Sequence, residues 1–281
     1  MKIDFTKMQG LGNDYIYLNC LEATPDHPQQ LARLLSDRHF GVGADGLVLI
    51  LPSEAADFQM RMFNADGSEG NMCGNAARCV GKYVYEKGLT RRTNLALETK
   101  AGIKMLSLHT TPEHKVGTVT VDMGAPIFTP KAIPLSAESN RISLPTGDRN
   151  TDAFCLSMGN PHCVLFVDDL SAAPVHSLGP ALEKDDRFTE GVNVEFVTVY
   201  SEGELHVRVW ERGSGETMAC GTGACAAAVA AVENGFCPLG QEIAVKLPGG
   251  CLSIKVTPQT VYMTGPAQFV FEGSVDTETL S

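Results

Sequence analysis

The stretch FNADGSEGNMCGNAARCVGKYVYEKG, residues 63–88, occurs a second time in this chain as a related copy. When the sequence is shifted against itself by 147 residues, Cys73 aligns with Cys220 and Gly74 with Gly221, and the window needs no gap. Each copy has the pattern of a strand, a glycine-rich turn, a Cys-Gly step and a helix that ends at a glycine. The period is too long for a solenoid and predicts two similar domains.

Hydrophobic periodicity predicts a helix after each cysteine, over 75–86 and over 222–234. The second helix is almost all alanine and valine, which is typical of a helix enclosed within its domain. Strand patterns flank both helices. The sequence therefore predicts an α/β protein of the α+β type with two pseudo-symmetric domains, each a curved, mostly antiparallel sheet around a central helix.

Further elements follow from the same patterns. A turn at 10–13 precedes a strand that ends at Asn19, and the segment 126–149 is predicted to be surface strand and connection. The glycines of 39–46 do not form a phosphate loop in this prediction, because a strand and not a helix follows them. The other predicted elements in the first half are a short helix at 31–36 and strands at 47–51, 58–63, 95–99, 105–109 and 116–123. In the second half, strands are predicted at 163–167, 194–200, 205–210, 243–247, 251–256 and 268–271.

The amino-acid composition restricts the classes of partner that the protein can be expected to bind. The chain has 281 residues and a net charge of −11, and no run of lysine and arginine stands out, which argues against nucleic acid or an anionic membrane. The N-terminus has no apolar signal segment, so we expect a cytoplasmic protein. The nine cysteines are expected to be free thiols, and the absence of a CxxC motif disfavours a structural zinc site.

A cysteine just before a helix is suited to a particular chemistry. The first backbone N–H groups of a helix have no intrahelical partner, so they can hold a carboxylate and favour a thiolate. Two such sites could bind one carboxylate and place a sulfur on either side of its α-carbon. One thiolate would then remove the α-proton while the opposing thiol protonates the other face, without pyridoxal phosphate or another cofactor. Two alternatives stay open: duplicated packing features, or pairing of Cys73 with Cys220 through a disulfide or a metal.

The sequence resembles the diaminopimelate epimerase family, whose members interconvert LL- and meso-diaminopimelate without a cofactor. The matching motifs are GLGNDY (10–15), HFGVGADG (39–46), FNADGSEGNMCGNAARC (63–79), MGNPHCV (158–164), GVNVEF (191–196) and ERGSGETMACGTGA (211–224). The resemblance implies an active site in the cleft between the domains, a role in lysine and peptidoglycan precursor synthesis, and a homodimer. It also implies that the last strand returns to the first domain, with domains 1–117 plus 265–281 and 118–264.

The resemblance also implies a role for individual residues. Cys73 and Cys220 are the expected acid/base pair, and His162 and Glu211 are expected to support them, Glu211 also receiving the substrate ammonium group. The residues expected to bind substrate are Asn13, Asn64, Gly74, Asn75, Asn160, Asn193, Glu211, Arg212, Gly221 and Thr222, and no metal ligand is expected. The alternatives are an ordinary loop histidine for His162 and a turn-forming asparagine for Asn13.

Two rival functions remain at this stage. A racemase for proline or hydroxyproline would use a similar cysteine pair, but it would not need the guanidinium of Arg212. A non-catalytic binding protein or a thiol redox sensor would need no proton exchange at all. One departure from the family is Gly46, where some members carry glutamine, so a pocket contact from that side chain is absent here.

Overall fold

The computed structural model describes residues 2–146 and 149–276. Their contacts divide them into two compact units: unit 1 comprises residues 2–121 and 264–276, and unit 2 comprises residues 122–263. Across these described ranges, every helix is too short or too polar to span a membrane.

The elements follow one another in a repeated order. The first series is β1 (Lys2–Gly10), β2 (Asn13–Asn19), α1 (Pro28–Ser36), β3 (Gly46–Leu51), β4 (Phe58–Asn64), β5 (Glu69–Gly70), α2 (Gly74–Glu86), β6 (Asn94–Thr99), β7 (Gly102–Thr110) and β8 (Val116–Gly124). A 3-10 turn at Pro130–Ala132 follows. The second series is β9 (Arg141–Thr146), β10 (Arg149–Ser157), β11 (Pro161–Phe166), α3 (Val175–Glu183), β12 (Asn193–Ser201), β13 (Glu204–Glu211), β14 (Gly215–Glu216), α4 (Gly221–Glu233), β15 (Glu242–Leu247), β16 (Gly250–Val256), β17 (Val261–Pro266) and β18 (Gln268–Asp276).

Strand pairing is the same in the two units. In unit 1, β1–β2, β3–β4 and β6–β7 are antiparallel, whereas β2–β3 and β4–β6 are parallel. In unit 2, β10–β11, β12–β13 and β15–β16 are antiparallel, whereas β11–β12 and β13–β15 are parallel. The strand β18 pairs with β1 as β9 pairs with β10, both antiparallel. The predicted fold class, a mixed α/β protein built from two similar and mostly antiparallel halves, is confirmed.

The two long helices are held by buried small residues. In unit 2, α4 packs against β10, β11, β12, β13, β15 and β16, and its alanines let those strands approach closely. Both helices end at a glycine in the left-handed conformation, Gly88 with φ 73° and Gly235 with φ 74°. The next N–H reaches back into the last turn, from Leu89 to Val84 O at 2.9 Å in α2. The helices predicted after each cysteine are therefore confirmed, each beginning one residue earlier.

Several elements were missed from the sequence, among them α3, β1, β10 and β17. The helix α3 carries Gly179 and Pro180, which disfavour a helix by propensity, but a Cβ at position 179 would lie 2.7 Å from the Trp210 ring. Packing against Trp210 therefore demands a glycine and overrides propensity. The strand β1 was also missed, because polar side chains on its solvent side interrupt its apolar pattern.

Candidate active site

The first cysteine cluster lies at the start of α2. Cys73 is the N-cap residue and is half-buried, and its Sγ donates to Asn13 Oδ1 at 3.4 Å. Asn75 Nδ2 donates to the same oxygen at 3.3 Å. The Asn13 amide is oriented by Asp45, since its Nδ2 donates to Asp45 Oδ2 at 2.8 Å. The structure thus brings together three residues that the sequence proposed for the site, and Asp45 fixes one of them.

A buried arginine lies beneath this cluster. The Arg78 side chain is fully buried in α2, and its Nη2 donates to Asn75 Oδ1 at 2.8 Å. Its other donors reach Gly74 O at 3.2 Å and Pro266 O at 3.1 Å. Arg78 therefore fixes the side chain of Asn75 and joins the start of α2 to the end of β17. No role for Arg78 was predicted from the sequence.

The second cysteine cluster has the equivalent place at the start of α4. Cys220 is the N-cap residue, and its Sγ accepts from the Gly223 N–H at 3.3 Å. Thr222 Oγ1 lies 3.5 Å from the same sulfur and accepts from Asn160 Nδ2 at 3.3 Å. His162 Nε2 lies 2.9 Å from Asn160 Oδ1. A continuous series of hydrogen bonds thus connects His162 to the Cys220 sulfur.

Both helix starts direct amide groups out of the helix end. The first helical bonds run from Ala77 N–H to Cys73 O and from Ala224 N–H to Cys220 O, each 2.9 Å long. The amides of the residues before Ala77 and Ala224 therefore lie ahead of the helical ladder. This is the arrangement that can hold a carboxylate group. Gly74 and Gly221 occupy the first position of each helix.

The two sulfurs differ in their surroundings. Burial raises the pKa of the Cys220 thiol well above its usual value, and the carboxylates of Glu211 and Glu195 raise it further. Hydrogen bonds from Thr222 and from the Gly223 N–H offset part of this effect. Cys220 therefore favours the protonated thiol in the free protein. Cys73, by contrast, is half-buried.

The remaining proposed binding residues lie near the ends of β4, β12 and β13. Asn193 Oδ1 accepts from the Arg212 backbone N–H at 3.0 Å, and Asn193 Nδ2 donates to Pro161 O at 3.0 Å. Glu211 accepts from Thr217 Oγ1. Asn64 is exposed, and its Nδ2 donates to Ser68 Oγ at 3.0 Å in the turn that follows β4.

The packing of unit 1 leaves no space for a side chain at Gly46. A Cβ at this position would lie 2.1 Å from Phe63 O and 2.8 Å from the Tyr15 ring, because β3 passes close to β4 there. We expect Gly46→Ala to lower the free energy of unfolding by about 2–3 kcal/mol, as a backbone atom must move. Denaturant titration would measure this loss. Gly117→Ala is the control, since the nearest atom there would be 3.6 Å away; equal stability of the two variants would contradict the steric argument.

Three residues of these clusters were missed by sequence reasoning: Asp45, Arg78 and Glu195. The repeat itself contained a signal for two of them, because Arg78 aligns with Cys225 and Glu195 aligns with Val48 at the offset of 147. Where a charged residue of one copy aligns with an apolar residue of the other, the two copies differ in chemistry. Among the described side chains, histidine, cysteine and carboxylate groups form no cluster of three that could hold a metal ion.

Comparison with solved structures defines the class of fold. A probable proline racemase from Agrobacterium radiobacter superposes with a TM-score of 0.75 at 15% identity, covering 98% of this chain and 93% of that one. A hydroxyproline epimerase from Agrobacterium vitis gives 0.72 at 17% identity, with 98% and 91% covered. A phenazine biosynthesis protein from Bacillus anthracis gives 0.74 at 20% identity, with 98% and 99% covered. The chain therefore has the two-unit fold that these proteins share.

Sequence comparison defines the family. The diaminopimelate epimerase profile matches residues 5–129 and 154–270. A diaminopimelate epimerase from Acetivibrio thermocellus is 52% identical over 277 residues, covering 97% of this chain and 98% of the relative. One from Methanococcus maripaludis is 48% identical over 277 residues, with 97% and 99% covered. The chain belongs to the diaminopimelate epimerase family, which confirms the resemblance found in the motifs.

Proposed function

We propose that this protein interconverts LL-2,6-diaminopimelate and meso-2,6-diaminopimelate in lysine and peptidoglycan precursor biosynthesis. The observation that carries this proposal is the family relationship over nearly the whole chain, at about 50% identity to relatives of that name. The activity is that of an amino-acid epimerase, an isomerase. The two cysteine clusters supply the chemistry that such a reaction requires.

The proposed mechanism uses the two sulfurs as base and acid. One cysteine, as thiolate, takes the proton from the α-carbon, and the other, as thiol, gives its proton to the opposite face. The amides at the starts of α2 and α4 hold the reacting carboxylate and stabilise the negative charge that develops on it. Each turnover puts one proton on the first sulfur and removes one from the second, and proton exchange with solvent then returns both sulfurs to their starting states. The roles of base and acid exchange when the reverse reaction occurs.

The distal end of the substrate is assigned to the polar residues near Asn193. Arg212 is exposed, and its Nη1 donates to Glu190 O at 2.6 Å, which anchors one edge of the guanidinium group. A planar guanidinium suits bidentate binding of the second carboxylate. We propose that Asn64, Asn160 and Asn193 complete this pocket and that Glu211 receives the ammonium group.

The reaction is tested by isotope exchange. Incubation with LL-diaminopimelate in deuterium oxide should replace the α-proton by deuterium and form the meso isomer, as followed by proton NMR and chiral chromatography. Substrate recovered with its α-proton intact would refute the proposal and favour a binding protein or a redox sensor. L-Proline and trans-4-hydroxy-L-proline serve as the rival substrates; turnover of either at a comparable rate would favour the proline-type reaction.

Arg212 offers a test of the distal pocket. We expect Arg212→Lys to raise the KM for diaminopimelate about tenfold or more, because a point charge replaces a planar fork. The value of kcat should change less, since Arg212 is distant from the reacting carbon in this assignment. Steady-state kinetics measure both, with Arg91→Lys as an exposed control of the same chemistry. An unchanged KM would remove Arg212 from the pocket.

Cellular location and assembly are separate proposals. We propose a cytoplasmic homodimer, in keeping with the family resemblance. Light scattering coupled to gel filtration measures the mass directly, and a single species of 30.1 kDa would exclude the dimer.

A further inference from the structure

A fully buried carboxyl group, Glu195 on β12, lies beside the second cysteine cluster. Its Oε1 is 2.7 Å from His162 Nδ1, and the His162 side chain is also fully buried. Its Oε2 is buried and has no hydrogen-bond partner among the residues that the structure describes. A buried carboxyl group that leaves one oxygen unsatisfied costs stability, so a functional reason for it is worth seeking.

Gly223 shows how close this carboxyl group is to the catalytic sulfur. A Cβ on Gly223 would lie 2.9 Å from Glu195 Oε1 and 3.2 Å from Cys220 Sγ. The carboxyl oxygen and the sulfur are therefore neighbours of the same methyl-sized position. Any residue with a Cβ there would push one of the two groups away.

The groups around these two atoms come from four elements. Cys220 faces Glu195 on β12, Glu211 on β13, and Thr222 with the Gly223 N–H on α4. Glu195 faces His162 on β11 and also Glu211. The Cys155 thiol and burial raise the pKa of Cys163, the next residue of β11, and the Glu195 carboxylate contributes further. The pKa of the Glu195 carboxyl group is raised overall by burial, with a further contribution from Glu211, and His162 offsets part of this effect.

The first repeat has no equivalent of this group. The residue that aligns with Glu195 is Val48, which is fully buried in β3. The residue that aligns with His162 is Tyr15. The buried carboxyl–imidazole pair is therefore a feature of the Cys220 cluster alone, and it makes the two cysteine environments chemically unequal.

We propose that Glu195 is a positioning residue for Cys220: it fixes the His162 ring, and its charge acts together with burial and with Glu211 to hold Cys220 as the protonated acid of the resting enzyme. This inference rests on the epimerase function proposed above. A thiolate at Cys220 would place a second negative charge beside Glu195 in a buried site, which is unfavourable. Cys73 is then the resting base. Turnover that starts from this state takes one proton onto Cys73 and removes one from Cys220.

The test measures the ionisation of Cys220 without substrate. Protein labelled with ¹³C at the cysteine Cβ is titrated by NMR, and the Cys220 signal is assigned by its loss in Cys220→Ser. In Glu195→Gln we expect the titration midpoint of Cys220 to fall by about one pH unit or more, since removal of a like charge favours the thiolate. The midpoint of Cys73 should stay where it is. An unchanged Cys220 midpoint overturns the proposal.

Two further variants separate charge from packing. Glu86→Gln is the control. It neutralises a partly buried carboxylate that lies in unit 1 and pairs with Lys82, so the Cys220 midpoint should not move. Glu195→Asp keeps the charge but withdraws it from His162. We expect this variant to leave the Cys220 midpoint high and to lower kcat more than it changes KM. A midpoint that falls as far in Glu195→Asp as in Glu195→Gln would refute the charge effect.

The outcome is independent of the test of function. If the wild-type protein did not exchange the α-proton of diaminopimelate, the epimerase proposal would be refuted. The NMR titration of Cys220 would still be interpretable. Normal exchange together with an unmoved Cys220 midpoint in Glu195→Gln would defeat only the role of Glu195.

Discussion

Cys220→Ser and, separately, Cys73→Ser are each expected to lower kcat for diaminopimelate epimerisation by about 10³-fold or more. The reason is stereochemical: one sulfur can reach only one face of the α-carbon, so the remaining cysteine cannot both remove and return the proton. General acid–base groups typically contribute about 10²–10⁴-fold, and a serine hydroxyl is a much poorer base and acid near neutral pH than a thiol. Initial rates in both directions measure the loss.

The fold should survive both substitutions. Serine keeps the shape of the N-cap residue and can accept a hydrogen bond from the helix amides, as Cys220 does from the Gly223 N–H. Circular dichroism and thermal unfolding should therefore resemble those of the wild type. Cys251→Ser is the matched control, because Cys251 is an exposed thiol on β16 and should retain full activity. Near-normal turnover in Cys73→Ser or Cys220→Ser would refute the two-base mechanism.

The repeat made much of the fold predictable. The glycines that end α2 and α4 and the Cys-Gly steps that begin them are local signals, and the copies support each other. The helix α3 was not predictable in this way, because Gly179 fits there only through contact with the Trp210 ring, which is distant in sequence. The strand β18 belongs with β1 through a pairing that spans nearly the whole chain, and no local pattern could indicate it.

The residues proposed to contact substrate could be predicted from the sequence, whereas the buried residues that support them could not. Cys73 and Asn13 each follow a glycine-rich segment, and Asn75 lies in the first turn of the helix that Cys73 caps, so local sequence signals mark all three. Arg78 and Glu195 lie inside segments with helix and strand periodicity, where a charge is usually expected on the solvent side. Only the structure shows that both are fully buried. Such groups act through neighbours, so their effect on a catalytic sulfur depends on distances that a sequence does not contain.

Arg78→Leu is expected to be the most destabilising substitution near the first cysteine. The guanidinium group is the shared donor for Asn75 Oδ1, Gly74 O and Pro266 O. Leucine fills part of the volume but donates nothing, so buried acceptors lose a charged partner. Hydrogen bonds to charged groups contribute about 1.5–3 kcal/mol each, and neighbouring losses do not add fully, so we expect a total loss of about 3–5 kcal/mol.

Two measurements test this expectation. Thermal unfolding should show a Tm lower by on the order of 10 °C, whereas Arg91→Leu, which changes an exposed arginine, should leave the Tm almost unchanged. Hydrogen exchange should accelerate at Ala267 and Gln268, because Arg78 joins α2 to the backbone at Pro266. Arg78→Lys should fall between the wild type and Arg78→Leu, since an ammonium group cannot reach three acceptors in a planar arrangement. If Arg78→Leu were as stable as Arg91→Leu, the buried guanidinium group could not be what fixes Asn75, and the support of the Cys73 cluster would have to come from Asp45 and Asn13 alone.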